Sequence, residues 1–185
     1  KDSTMALYIS LSKKLKVTHL LTVVNNKGKS IQHHIPVSII KQQADSLGLK
    51  FLAVPTFFNI YNLYQPKLFN KIRMLKKEGI TGCIFGDIEL AWRKEDNILR
   101  CKKIGIKQYH PLWEKNKDKI VTELIDKKFK MIITAVNPFK SKGINLLGEP
   151  LNKETVNILN KNEIDHCGEN AEFHTLVTGG PIFKK

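Results

Sequence analysis

The sequence predicts an α/β fold organised as a doubly wound parallel sheet, and two features carry that prediction. Segments of strand character alternate with segments of helical periodicity along most of the 185 residues. The strand segments are also nearly continuous in apolar and β-branched residues, as in VTHLLTVV at 17–24, which is the pattern of strands covered on both faces. In such a sheet ligands bind beyond the carboxyl ends of the strands, so the residues that follow each strand are the first candidates for a site.

The chain opens on Lys1-Asp2-Ser3-Thr4 and passes straight into an apolar rhythm at Met5, Leu7, Tyr8, Ile9, Leu11 and Leu15. This marks a helix with polar residues at its start. A helix that opens so abruptly reads as the second half of a strand-loop-helix unit, so the chain is expected to be clipped at its amino end. Residues 17–24 give the first strand and Asn25-Asn26-Lys27-Gly28 a turn. After His33 and His34, the fixed φ of Pro36 suits a helix start, and Gly48 suits that helix's carboxyl cap.

Residues 49–55 form the next strand. An aromatic loop through Phe57, Phe58, Tyr61 and Tyr64 then leads to a basic amphipathic helix from about Pro66 to Glu78. These rings could stack bases, but packing over the core is the commoner use. Residues 80–85 are a short strand, and Gly86-Asp87 stands at its carboxyl end, where the aspartate either contacts a nucleotide or metal or caps the next helix. That helix carries Trp92, Arg93, Ile98, Leu99 and Cys101 and ends near Gly105. A strand at 108–112, a helix at 117–129, a strand at 131–136, a Pro/Gly-rich link at 138–150 and a helix at 153–161 complete the pattern.

The remaining stretch, DHCGENAEFHTLVTGGPIF at 165–183, holds the densest chemistry. His166, Cys167, Glu169, Asn170, Glu172 and His174 fall together beside turn residues, which marks a loop that holds a ligand; the plainer alternative is a solvated hairpin with polar tips.

Charge and composition narrow the classes. The net charge of +14, from 31 basic and 17 acidic residues, brings nucleic acid into consideration. The lysines, however, are spread over almost every segment, which argues for solvated faces. Three cysteines without paired spacing exclude a disulfide framework and predict a reducing, cytoplasmic setting. No apolar run approaches a membrane span. Cys101, His110, His166 and Cys167 have no spacing typical of zinc.

Several of these segments also carry a family resemblance. Lys1-Asp2-Ser3-Thr4 resembles the end of the Ser-Gly-Gly-Lys-Asp-Ser loop of PP-loop ATP pyrophosphatases, and GENAEFHT at 168–175 resembles the carboxyl-terminal signature of their diphthine-ammonia ligase branch. QQADSLGL (42–49), FGDI (85–88), HPLW (110–113) and GPIF (180–183) fall in the order that branch shows.

The resemblance implies a Rossmann-like sheet of the adenine nucleotide α-hydrolase type over 1–106 and a smaller carboxyl-terminal α/β domain over 107–185. It places the chain's missing first strand at the centre, so that its absence splits the sheet. It implies an ATP- and Mg²⁺-dependent, AMP-forming ligase that adenylates a carboxylate and amidates it with ammonia. The carboxylate belongs to diphthine on translation elongation factor 2 or to another acid.

By that resemblance Lys1, Asp2, Ser3, Thr4, His33, Gly86 and Asp87 meet the nucleotide, with Asp2 also at the metal. Glu169 and Glu172 recognise a cationic substrate or deprotonate the ammonium, and Asn170 orients a carbonyl. The sequence departs from the pattern at Ala171, where glycine is usual, and GDIEL at 86–90 is closer to the branch's bacterial relatives. Two other readings stay open: a PP-loop enzyme that modifies tRNA, and a nucleotide-binding module without catalysis.

Overall fold

The computed structural model of the chain describes residues 1–57 and 60–184. Phe58 of the expected aromatic loop lies outside the described residues. Helix α1 (Asp2–Ser12) is followed by β1 (His19–Val24), α2 (Val37–Ser46), β2 (Lys50–Pro55), α3 (Tyr61–Lys77) and β3 (Gly82–Ile84). Then come α4 (Ala91–Ile104), β4 (Lys107–Tyr109), α5 (Lys117–Asp126), β5 (Lys130–Val136), α6 (Lys153–Lys161) and β6 (Phe173–Gly179).

The strands form a parallel pair β1–β2, a parallel pair β3–β4 and an antiparallel pair β5–β6. Helices connect the members of each parallel pair, as parallel strands require. The α/β class with parallel pairing is therefore as the sequence predicts. Among the described residues no ladder joins the two parallel pairs. One feature departs from the prediction of strands covered on both faces: β1 is half-buried along most of its length and only Val24 is buried.

Two further elements differ from the sequence reading. Helix α3 starts at Tyr61 and contains Pro66 instead of starting there. Proline's fixed φ is helical, but at the sixth residue of α3 it forfeits the bond to the Asn62 carbonyl and its ring crowds that carbonyl, so the helix keeps Pro66 at a local cost. Residues 173–179 are also not one arm of a local hairpin. They pair with β5, Met131 opposite Val177 and Val136 opposite Phe173.

Two cores hold the elements. The larger joins Met5 and Ala6 of α1 to Leu112, to Leu124 of α5, to Met131 and Ile133 of β5, to Leu159 of α6 and to Phe173 and Val177 of β6. The smaller comprises Phe69, Ile72, Cys101, Ile104 and Ile106. The larger core thus carries the chain's first helix on the same packing as its last strand. Gly86 locks the start of α1 in place: a Cβ there would stand 2.9 Å from Ser3 N and 3.1 Å from Ser3 Cα. Only glycine lets the loop after β3 approach that backbone.

Candidate active site

A cleft of about 530 Å³ opens where the start of α1, the loop after β1, the Gly86–Asp87 loop and the turn before β6 converge. Lys1, Asp2, Ser3, His33, Gly86, Asp87 and Glu169 all line it. The chain's two ends therefore meet at one site, although they stand more than 160 residues apart in the sequence.

At its centre the Lys1 ammonium donates to Asp2 Oδ1 at 2.8 Å and Oδ2 at 2.9 Å, and stands 3.9 Å from Glu169 Oε1. The Lys1 side chain is only 4% exposed. Burial alone would lower its pKa, but the carboxylates of Asp2 and Glu169 outweigh that and raise it. Burial likewise opposes ionisation of Asp2, yet Lys1 holds its pKa below the usual carboxylate value. Glu169 responds in the opposite sense: burial first, and then the negative charge of Asp2, push its carboxyl up. The site so holds a fixed cation, a fixed anion and a third group whose proton is easier to gain.

The turn that presents Glu169 is shaped by Asp165, whose Oδ1 accepts from Cys167 N at 2.8 Å and whose Oδ2 accepts from Glu169 N at 3.3 Å. Glu172 does not enter the cleft. It is 6% exposed, and its two oxygens accept from Asn170 N at 3.0 Å and Asn170 Nδ2 at 3.1 Å. Asn170 itself faces a neighbouring groove with Glu89, Lys117 and Asp118. Between them Ala171 takes φ +63°, the left-handed conformation that glycine usually supplies. Of the three residues expected to do chemistry here, the structure brings Glu169 to the cleft and gives Glu172 and Asn170 to the turn's own bracing.

Thr4, in the first turn of α1, is buried and does not line the cleft. Cys167 donates to the Lys117 carbonyl at 3.3 Å, and burial pushes its thiol up to about 12, so it is not a thiolate at neutral pH. His166 pairs with Asp118 at 3.1 Å.

Sequence reasoning named His33 for the nucleotide but not the partners it meets here, nor Arg93 as a lining residue. His33 Nδ1 lies 3.4 Å from His174 Nδ1 of β6, joining the loop after β1 to the carboxyl-terminal pair. Desolvation lowers both pKa values, that of His33 to about 4. Arg93, Tyr61 and Tyr64 form the far wall. A cation in the first turn of the helix after Gly86–Asp87 was the available signal for Arg93; nothing in the sequence linked His33 to a residue 141 positions away. Among the described residues no group of three or more metal-donor side chains is present, and the carboxylate of Asp2 is engaged by Lys1.

Models of protein families match both parts of the chain. The diphthamide synthase N-terminal domain matches residues 1–108, and the diphthamide synthase C-terminal domain matches residues 116–185. The chain belongs to the diphthamide synthase family. Among individual members, the chain is similar to proteins named diphthine–ammonia ligase from Bos taurus, Schizosaccharomyces pombe and Homo sapiens. Identity to the Bos taurus protein is 27% over 126 residues, covering 64% of this chain and 46% of that protein. For the Schizosaccharomyces pombe protein it is 32% over 114 residues, covering 57% and 17%. For the human protein it is 25% over 126 residues, covering 64% and 46%. This family member thus spans less than half the length of the curated relatives it matches. No helix among its described residues is long and apolar enough to cross a membrane.

Proposed function

We propose that this chain serves an ATP-dependent, AMP-forming amide ligase, and that its cleft is where a carboxylate is adenylated and then amidated. The observation that supports the reading is the meeting of the α1 amino terminus, with Lys1, Asp2 and Ser3, and the Glu169 turn in one cleft. A helix amino terminus presents N–H groups and the positive end of a dipole to phosphate, and Lys1 adds a full charge beside it. The relatives the chain resembles are named for diphthine and ammonia; from that likeness we take ammonia and a carboxylate as substrates, and from the Lys1–Ser3 helix start we take ATP.

In this reading a carboxylate oxygen attacks the α-phosphorus of ATP and pyrophosphate leaves. Ammonia then attacks the acyl carbon, and AMP departs with that oxygen. Glu169 takes the proton that ammonium must lose, a role suited to a carboxyl whose pKa burial and Asp2 have raised. Its working form is the carboxylate, so the amidation rate rises with pH through that raised value. Asp2 would be the residue that holds Mg²⁺, which would offset the charge of the phosphates. Glu172 shapes the turn and takes no proton. The setting we propose is cytoplasmic, in keeping with three unpaired thiols.

The test is product analysis with ATP, Mg²⁺, ammonium and candidate carboxylates, elongation factor 2 carrying diphthine among them. One AMP and one pyrophosphate per amide are expected, whereas ADP and phosphate would overturn the reading. Glu169→Gln is expected to slow amide formation by about 10²–10⁴-fold. Glu172→Gln, by contrast, is expected to act through stability and to leave the residual rate of folded enzyme within about tenfold.

A further inference from the structure

The cleft's two cations differ in how far their hydrogen-bonding capacity is used. Lys1 is enclosed by Asp2 and Glu169. Arg93, in the first turn of α4, is not enclosed in this way. Its Nε is buried without a partner, and its contact to Asp87, from Nη1 to Oδ1, is 3.7 Å, longer than a hydrogen bond. Arg100 on the same helix shows the satisfied alternative, with Nε 2.6 Å from Asp96 Oδ2.

The surroundings hold the Arg93 guanidinium in place without using up its donors. It lies over the rings of Tyr61 at 5.7 Å and Trp92 at 5.5 Å. Tyr61 donates to Asp96 at 2.9 Å, so the chain Arg100–Asp96–Tyr61 fixes the surface on which the guanidinium rests. Asp87 keeps a second partner, accepting from Asn97 Nδ2 at 3.1 Å. It would therefore stay in place if Arg93 turned away. Arg93 also lines both the cleft and a recess of about 290 Å³ that shares Ser3, His33 and Asp87 with it.

We infer that Arg93 is an oxyanion ligand of this cleft, its planar fork taking two oxygens of a carboxylate or phosphate group, with Asp87 as the counter-ion it leaves when that group arrives. A guanidinium matches both oxyanions bidentately, and a lysine would not. The inference rests on the proposed ligase reading only in expecting that the oxyanion is a reacting one.

The test is direct binding to the full chain. The chain has two tryptophans, so a Trp113→Phe background leaves Trp92, beside the guanidinium, as the sole reporter. Inorganic pyrophosphate probes for phosphate and propionate for carboxylate, each titrated by Trp92 fluorescence and checked by calorimetry. At least one should bind, and Arg93→Gln should weaken it by about tenfold or more. Arg93→Lys should fall clearly below the parent, because charge remains without the fork, and it decides the matter should Arg93→Gln fail to fold. Lys127→Gln, the same charge change away from the cleft, should stay within about twofold. Unchanged affinity in Arg93→Gln, parental affinity in Arg93→Lys, or no binding of either probe up to about 10 mM overturns the inference. Absence of AMP formation with probe binding intact counts against the ligase reading alone. AMP formation together with unchanged affinity in Arg93→Gln counts against Arg93 alone.

Discussion

The two cores of the molecule differ in closure, and the cleft is built across that difference. Met5, Leu112, Leu124, Ile133 and Leu159 of the larger core have no exposed surface. The smaller core is capped by half-buried Leu21, Leu68, Cys83 and Phe85, and β3 and β4 beside it are only three residues long. Lys1 and Glu169 are anchored on the first, through α1 and the turn before β6; Arg93 is carried by α4, whose Cys101 and Ile104 belong to the second, and Asp87 lies between Phe85 at the second and Ile88 in the first. One wall of the cleft is therefore held by dense packing and reciprocal charges, and the other by a lighter frame. Precise placement resides on the Lys1–Glu169 side, and room for adjustment on the Arg93 side.

The largest effect that would sharpen this contrast is a paired truncation. Leu124→Ala should cost about 3 kcal/mol in chemical denaturation, and Ile72→Ala about 2 kcal/mol, because partly open neighbours can settle into the space. Equal losses would erase the distinction. Gly86→Ala tests the seam between the cores. Its Cβ would meet backbone, which cannot swing aside, so a loss of about 2 kcal/mol is expected together with weaker ATP binding by calorimetry.

Ala171→Gly acts on the dense side and in the opposite direction. Relief of a left-handed alanine should raise stability by about 1 kcal/mol, and no gain would mean that the turn bears no strain at that residue. The smallest effect is a pH dependence. The folded pKa of His33 is depressed from 6.5 to about 4, so the unfolded chain binds more protons between those values. Stability should be fully present above about pH 6.5 and decline as pH falls toward 4. Solvent at this exposed ring reduces the size of the change but not its sign. A His33→Gln variant whose melting temperature follows the same pH curve as its parent would remove the assignment.

Much of the fold was legible because it rests on local rules. Gly105 ends α4 in the left-handed conformation, and Asn116 and Asn152 cap α5 and α6 through their side chains. β6 was not legible as a strand because its partner lies about forty residues earlier, while its own turns and polar residues describe a local hairpin equally well. In the site, the glycine–aspartate pair after β3 and the polar turn could be located from the sequence. Which of Glu169 and Glu172 reaches the cleft could not, since that depends on Asp165 and Asn170 drawing the two carboxylates apart. The pairing of His33 with His174 and the orphaned nitrogen of Arg93 arise only from three-dimensional proximity.

The β5–β6 ladder contains an irregularity at Thr134, where the pairing steps from Ile133 opposite Thr175 to Ala135 opposite His174. The extra residue changes the phase of β5, so that Val136 and not Ala135 lies opposite Phe173. Just beyond it, Asn137 N donates to the Glu172 carbonyl at 2.8 Å and ties the turn to the strand end. Within 130–137 the chain's length, more than its side chains, sets where Glu169 stands. Outside the buried Met131 and Ile133, relatives of this chain should accept substitutions there, and a single inserted or deleted residue should cost them the site.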